Sequence, residues 1–145
     1  MKQPGVLLVL ITFVAAVSFV VASDQFKNGR MRSVPLTGQN EATNPGDPDG
    51  TGMLKFAVRA DEGKFCYDLS VSNISLATTV TLNLGAKGSN GQQVTLLKAP
   101  SNNVSADCVS LDADRLGDLA RNPANYYVNV QTADFPNGAL RGQLK

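Results

Sequence analysis

A chain of 145 residues without an obvious internal repeat is sized for one compact domain. Its 13 Lys and Arg against 12 Asp and Glu leave a formal net charge of +1, too balanced for a phosphate-neutralising nucleic-acid binder or a polybasic membrane patch. With no His anywhere, the Ser-His-Asp and Cys-His hydrolases and most imidazole-ligated metal chemistry are excluded.

The chain begins with a targeting pattern. Lys2 supplies a short positive start, and Gly5 to Ala22 is apolar apart from Thr12 and Ser18. Small residues at Ala22 and Ser23 follow aliphatic Val20 and Val21, so residues 1–22 read as a secretory signal peptide cut after Ala22 or Ser23. The run also reaches the length of the shortest membrane-spanning helices, about 17–25 residues. An uncleaved anchor is therefore the alternative, and membrane contact is expected only in that case. Cleavage after Ala22 leaves 12 basic against 12 acidic residues, a neutral exported chain with no electrostatic pull toward a charged polymer. Residues 23–33 form a short N-terminal segment, and 34–145 form the domain.

From there the chain reads as short strands joined by turns. Met31 to Thr37 is a first strand, and Pro35 places it at an edge or end because proline donates no ladder hydrogen bond. Asn44-Pro-Gly-Asp-Pro-Asp-Gly50 is a loop of turn formers. Its Asp47-Pro-Asp-Gly-Thr51 fails the EF-hand spacing, since Pro45 and Phe56 would occupy the first and twelfth positions. Thr51 to Arg59 alternates with Leu54, Phe56 and Val58 on one face. Phe65 to Val71 alternates with Phe65, Tyr67, Leu69 and Val71 inward. Thr79 to Leu84 sets Val80, Leu82 and Leu84 against Thr79, Thr81 and Asn83. Val94 to Leu97 and Val104 to Ser110 are further strands. Period-two alternation of this kind predicts strands buried on one face.

One segment is helical in pattern. Asp112 to Arg121 places Leu116, Leu119 and Ala120 on one stripe, with acidic residues at its start and Arg121 at its end, as the helix dipole favours. Asn122-Pro123 stops it. The cluster Asp112, Asp114 and Asp118 reads as a solvated face. Tyr126 to Thr132 then sets Tyr126, Val128 and Val130 against Tyr127, Asn129 and Gln131, with half of the Tyr126-Tyr127 pair free for an aromatic contact. Pro136-Asn-Gly138 is a hairpin turn into a last strand, Leu140 to Leu144. About eight strands and one short helix predict an all-β fold, an antiparallel β-sandwich or Greek-key barrel.

Export bears on the cysteines. Cys66 and Cys108, 42 positions apart, are expected to form a disulfide in an oxidising compartment; two buried free thiols are the competing reading. Asn73-Ile-Ser75 and Asn103-Val-Ser105 are N-glycosylation sequons, meaningful only in a glycosylating host.

The end of the chain, Asn122-Pro-Ala-Asn-Tyr-Tyr-Val-Asn-Val-Gln-Thr-Ala-Asp-Phe-Pro-Asn-Gly-Ala-Leu-Arg-Gly-Gln-Leu144, closely resembles the C-terminal signature of the CHRD domain family. Leu36-Thr-Gly-Gln-Asn-Glu41 resembles the family's opening motif and Gly85-Ala-Lys-Gly-Ser-Asn-Gly91 its central Gly-rich loop. Cys66-Tyr67 and Cys108-Val109 resemble the cysteine positions of its short exported members. The resemblance runs from about Val34 to Leu144 and implies an immunoglobulin-like extracellular domain. It also marks departures. Many members carry His-x-His where this chain has Thr81 and Asn83, and a His where it has Gln131. Three imidazoles there could form a metal site; Thr81, Asn83 and Gln131 make instead a candidate polar face without nitrogen ligation, so no tight Zn or Cu binding is expected. Glu41 and Arg141 both fall inside family motifs and form a candidate structural ion pair; Arg141 with Gln143 on one strand face could instead contact a ligand.

These readings converge on a secreted or cell-envelope noncatalytic module, binding or structural, with no cofactor. Its expected partner is an extracellular protein or glycan and not nucleic acid. Two alternatives stand beside it. One is a metal-binding or redox domain of superoxide-dismutase-like architecture, which the missing His disfavours. The other is an antagonist of secreted growth factors by analogy to chordin, the multidomain protein that lends the family its name.

Overall fold

The computed structural model describes residues 29–145; the expected signal peptide over residues 1–22 lies outside the described residues. Eight strands follow in chain order: β1 (Arg32–Thr37), β2 (Thr51–Arg59), β3 (Lys64–Ser72), β4 (Ala77–Leu84), β5 (Gln92–Leu97), β6 (Val104–Ser110), β7 (Tyr126–Thr132) and β8 (Leu140–Gln143). One helix, α1 (Ala113–Arg121), lies between β6 and β7. All strand pairs are antiparallel, in the order β5-β4-β7-β8-β1-β2-β3-β6, and the sheet is nearly closed. Of the sandwich or barrel expected from the alternation, the chain takes the single curled sheet.

The inner face is the apolar set that the alternation assigns. Leu36, Leu54, Phe65, Val80, Leu82, Tyr126, Val128, Val130 and Leu140 are all fully buried in one cluster. Phe56, Phe65 and Tyr67 stack along it, with ring centroids 5.6 and 6.1 Å apart. Across the mouth of the sheet, the Lys98 N–H donates to Tyr67 Oη at 2.6 Å, tying the end of β5 to β3. Gly142 lets β8 approach β1, since a Cβ there would stand 2.9 Å from both Leu36 and Val34 side-chain carbons.

The helix closes one end of the core. Asp112 caps it by accepting from the Arg115 N–H at 2.8 Å, a side-chain N-cap of the preferred type. Leu116 and Leu119 are buried, but Ala120 is exposed, so the apolar stripe is narrower than expected. Asp118 is not merely solvated either. It accepts from the Tyr126 hydroxyl and from Asn122 Nδ2, and so fastens the helix to the start of β7. Burial, with the Asp118 carboxylate second, raises the Tyr126 phenol above its ordinary range.

β1 is internal in the strand order, yet at Pro35 its β8 side is open, the local edge that the proline predicts. β1 pairs with β2 along its whole length, whereas its only register pair with β8 is Thr37↔Arg141. The ladder between β1 and β8 therefore ends before it reaches Pro35, which removes the conflict with its missing N–H.

Cys66 and Cys108 are directly opposed in the β3–β6 register and form a disulfide. This fastens edge strand β6 to the body of the sheet. Closing a loop of this length contributes about 3–4 kcal/mol in the chain-entropy account. The double variant Cys66→Ala/Cys108→Ala is expected to lose that much unfolding free energy in urea titration. A loss below about 1 kcal/mol would show that the pairing of β6 alone holds the edge.

Candidate functional site

The outer face of β4, β7 and β8 differs from the expectation of a wet polar surface. Thr81 and Asn83 on β4 are 5% and 6% exposed, and Tyr127 and Asn129 on β7 are 5% and 6% exposed. Both faces of these strands are covered, because three connections fold over them. The first is the 38–50 segment after β1. It is tied down by Gly46 N–H to Gly38 O (2.9 Å), Asp47 N–H to Ala139 O (2.9 Å) and Asn40 Nδ2 to Arg141 O (3.2 Å). The Asp47 carboxylate is used internally, accepting from the N–H groups of Asp49 and Gly50 at 3.0 and 2.9 Å.

The second cover is the Gly-rich loop 85–91. Gln143 Nε2 donates to Gly85 O at 2.8 Å, Arg141 Nη2 to Ala86 O at 3.0 Å, and the Gly91 N–H to Tyr127 Oη at 3.1 Å. Asn90 Nδ2 donates to Thr43 Oγ1 at 2.6 Å and so joins the first two covers. The third is the β7–β8 connection, whose Asp134 accepts from Ser75 Oγ.

Arg141 organises this layer. It is 1% exposed, and its Cζ lies 3.6 Å from the centre of the Tyr127 ring. Neither Tyr126 nor Tyr127 is therefore a free aromatic contact; the former is in the core and the face of the latter carries a guanidinium. The expected ion pair of Glu41 with Arg141 does not form. Among the described residues the one ion pair within 4 Å is the exposed Arg59–Glu62. Arg141 donates instead to Gln143 Oε1 (3.0 Å) and Ala86 O, while Glu41 accepts from Asn129 Nδ2 with both carboxylate oxygens (2.8 and 3.0 Å). The register sets Asn129 beside Arg141 on one face, and with the guanidinium turned to Ala86, Gln143 and the Tyr127 ring, the amide is the group that meets Glu41.

Between the covers lies an open groove of about 510 Å³. Thr81, Asn83 and Gln131, the candidate polar face, all line it, together with Glu41 and Asn129. The register pairs Thr81↔Asn129 and Thr79↔Gln131 bring the residues of β4 and β7 together. Asn83 Nδ2 donates to Thr81 Oγ1 at 2.8 Å. Asn129 is the site residue that sequence reasoning missed, although its shared parity with Gln131 is the signal that places it. Its Oδ1 is buried without a partner among the described residues. This donor set does not fit an imidazole-type metal centre. Oxygen and amide groups replace every nitrogen ligand, and Asn83 and Asn129 use N–H groups within the site. Among the described residues no cluster of three His, Cys, Asp or Glu is placed to hold a metal ion.

The two sequons lie elsewhere. Asn73 and Asn103 are exposed and both adopt positive φ, 55° and 68°. The Val71 N–H donates to Asn103 O at 2.9 Å, so the two sequons share one end of the molecule.

Burial pushes the Glu41 carboxyl up to about 7, against the Asn129 hydrogen bond and the attraction of Arg141. The folded chain thus keeps this proton to about pH 7, whereas the unfolded chain loses it near the ordinary value of 4.5. Stability from this group is present below pH 4.5 and is lost as the pH rises through about 7. The melting temperature is expected to fall between pH 5 and pH 8 by more in the natural chain than in Glu41→Gln; parallel profiles would remove Glu41 as the cause. Arg141→Lys is expected to cost about 2–3 kcal/mol, because an ammonium cannot hold the two Nη2 bonds to Ala86 and Gln143 and also lay a plane on the Tyr127 ring. A chemical melt matching that of the natural chain would show that charge alone suffices.

No curated protein and no solved structure matches the chain. The family model of the CHRD domain matches residues 32–144, nearly all of the described region and all three loops that cover this face. A nearly closed antiparallel sheet, its opening motif and Gly-rich loop folded over β7 and β8, is thus the form taken here by a chain that belongs to the CHRD domain family.

Proposed function

We propose that the protein is a noncatalytic binding module that works outside the cell or at the cell envelope, and that the groove over β4 and β7 is its binding site. The observation that carries this is Asn129. It is 6% exposed, its amide N–H is spent on Glu41, and its carbonyl oxygen is buried without a partner. A desolvated acceptor left unpaired costs about 1–3 kcal/mol, a cost that a donor from a ligand would remove. Membership of the CHRD family and the cross-strand disulfide support work in an oxidising, extracellular setting. The apolar leader-like run of Gly5 to Ala22 supports export. The groove is rich in carboxamides and, among the described residues, holds no Ser, Cys or Lys, which supports a binding role over a catalytic one.

The test is attachment. Labelled protein added to intact cells that produce it is expected to be retained on their surface. Glu41→Gln combined with Gln131→Ala should abolish retention, and Lys55→Ala, on the exposed outer side of β2, should leave it unchanged. Equal retention of both variants would place the function away from the groove.

A further inference from the structure

The chemistry of the groove narrows the ligand. Resting on the reading of this groove as a binding site, we infer that it takes a neutral, hydroxyl-rich ring, a saccharide, with hydroxyls donated to Glu41 and to Asn129 Oδ1. Four properties point there.

The first is polarity of demand. Glu41 accepts from Asn129 alone among the described residues, and Asn129 Oδ1 accepts from none. Rotating the Asn129 amide would exchange the orphan oxygen for an orphan N–H, and above about pH 7 would set that oxygen against the Glu41 carboxylate, so one polar atom is left unpaired in either orientation. This part of the groove therefore asks for a group that donates and can also accept.

The second is the lining as a whole. Asn83, Asn90, Gln131 and Asn137 add carboxamides, each of which donates and accepts. An ammonium donates only, and would leave these N–H groups unmatched. A metal cation would face the same N–H groups, with the Arg141 guanidinium one strand behind Asn129. A hydroxyl does both, and vicinal hydroxyls can serve a carboxylate and an amide at once.

The third is charge. No Lys or Arg lines the groove, while Glu41 and Asp134 do. An anionic ligand is thus opposed, which separates neutral saccharides from sialylated or sulfated ones. The fourth is size and shape. About 510 Å³ falls within the range of small-molecule sites, roughly 300–1,000 Å³, and Phe135 with Pro136 gives one apolar wall for the C–H face of a ring.

Glu41 is also held from outside the sheet. A Cβ on Gly138, where φ is +139°, would stand 2.5 Å from the Glu41 carboxylate, so the turn fits closely around it. The site is held by packing, and because Asn129 Oδ1 is itself closed to water, a hydroxyl reaches it by displacing a lining side chain.

The experiment is a calorimetric and glycan-array titration of the folded protein. The probes are neutral oligosaccharides of glucose, mannose, galactose and N-acetylglucosamine, with sialylated and sulfated oligosaccharides and calcium chloride as the contrasting arms. Binding of at least one neutral series is expected. Glu41→Gln and Gln131→Ala should each weaken it about tenfold or more, and Lys55→Ala should leave it unchanged. Thermal melts and intact disulfide mass establish that each variant folds. Preference for the charged sugars, a response to calcium alone, or neutral binding indifferent to Glu41 and Gln131 would each overturn the inference. If no saccharide binds but attachment to cells still depends on Glu41 and Gln131, the saccharide is wrong and the binding module stands. If attachment is indifferent to them as well, both readings fall.

Discussion

A guanidinium buried on the outside of a sheet is the constraint around which the covered face of this protein is arranged. Arg141 lies in a short strand with almost no exposed surface. Removing such a charge from water costs several kcal/mol unless its donors and its plane are matched. The chain matches its plane and Nη2 by laying the Gly-rich loop over β7 and β8, so that Ala86 offers a carbonyl, Gln143 an amide oxygen and Tyr127 a ring, while Nη1 stays buried without a partner among the described residues. The loop in turn gains its own anchors, since Gln143 and Tyr127 also bond Gly85 and Gly91. One buried cation thereby anchors the loop that forms this wall.

The same arrangement frees Glu41. With Arg141 turned toward the Gly-rich loop, the carboxylate is left to an amide, and half-burial without a contact cation is why its proton is held so strongly. The turn at Gly138 closes around it from the other side. The two faces of β4 and β7 thus do different work. The inner one supplies the apolar area that drives folding, and the outer one is desolvated by loops yet left polar. Burying polar groups without matching all of them is costly to stability, and such cost is borne most readily where a ligand completes the set.

Much of the architecture was legible in the chain. Strands with one clean apolar parity, such as Leu54-Phe56 and Phe65-Tyr67-Leu69-Val71, stand where alternation puts them, and the observed strand ends fall within two residues of those expected. Asp112 and Asn122-Pro123 bracketed the helix for local reasons, a side-chain cap and a proline stop. The disulfide followed from two cysteines and the expectation of export. The polar residues were grouped correctly by parity, because Thr81 and Asn83, or Asn129 and Gln131, cannot leave a shared face without slipping the whole strand.

What alternation could not say was whether water reaches that face. Parity is a property of one strand's backbone, and every residue two positions on repeats it. Exposure depends on which distant segments fold across, and here these come from 38–50, 85–91 and 133–139, brought together by the strand order β4-β7-β8-β1. Partner choice failed for the same reason. Glu41 and Arg141 have complementary charges, but the Gly-rich loop and Tyr127 take the guanidinium and leave Glu41 the Asn129 amide. The sequence by itself determined the elements, the core and the polar stripe, since these follow from local periodicity and side-chain type. The covered groove, its orphan oxygen and its unpaired carboxylate were decided only by tertiary structure, because hydrogen-bond partners are allotted by geometry between segments far apart in the chain.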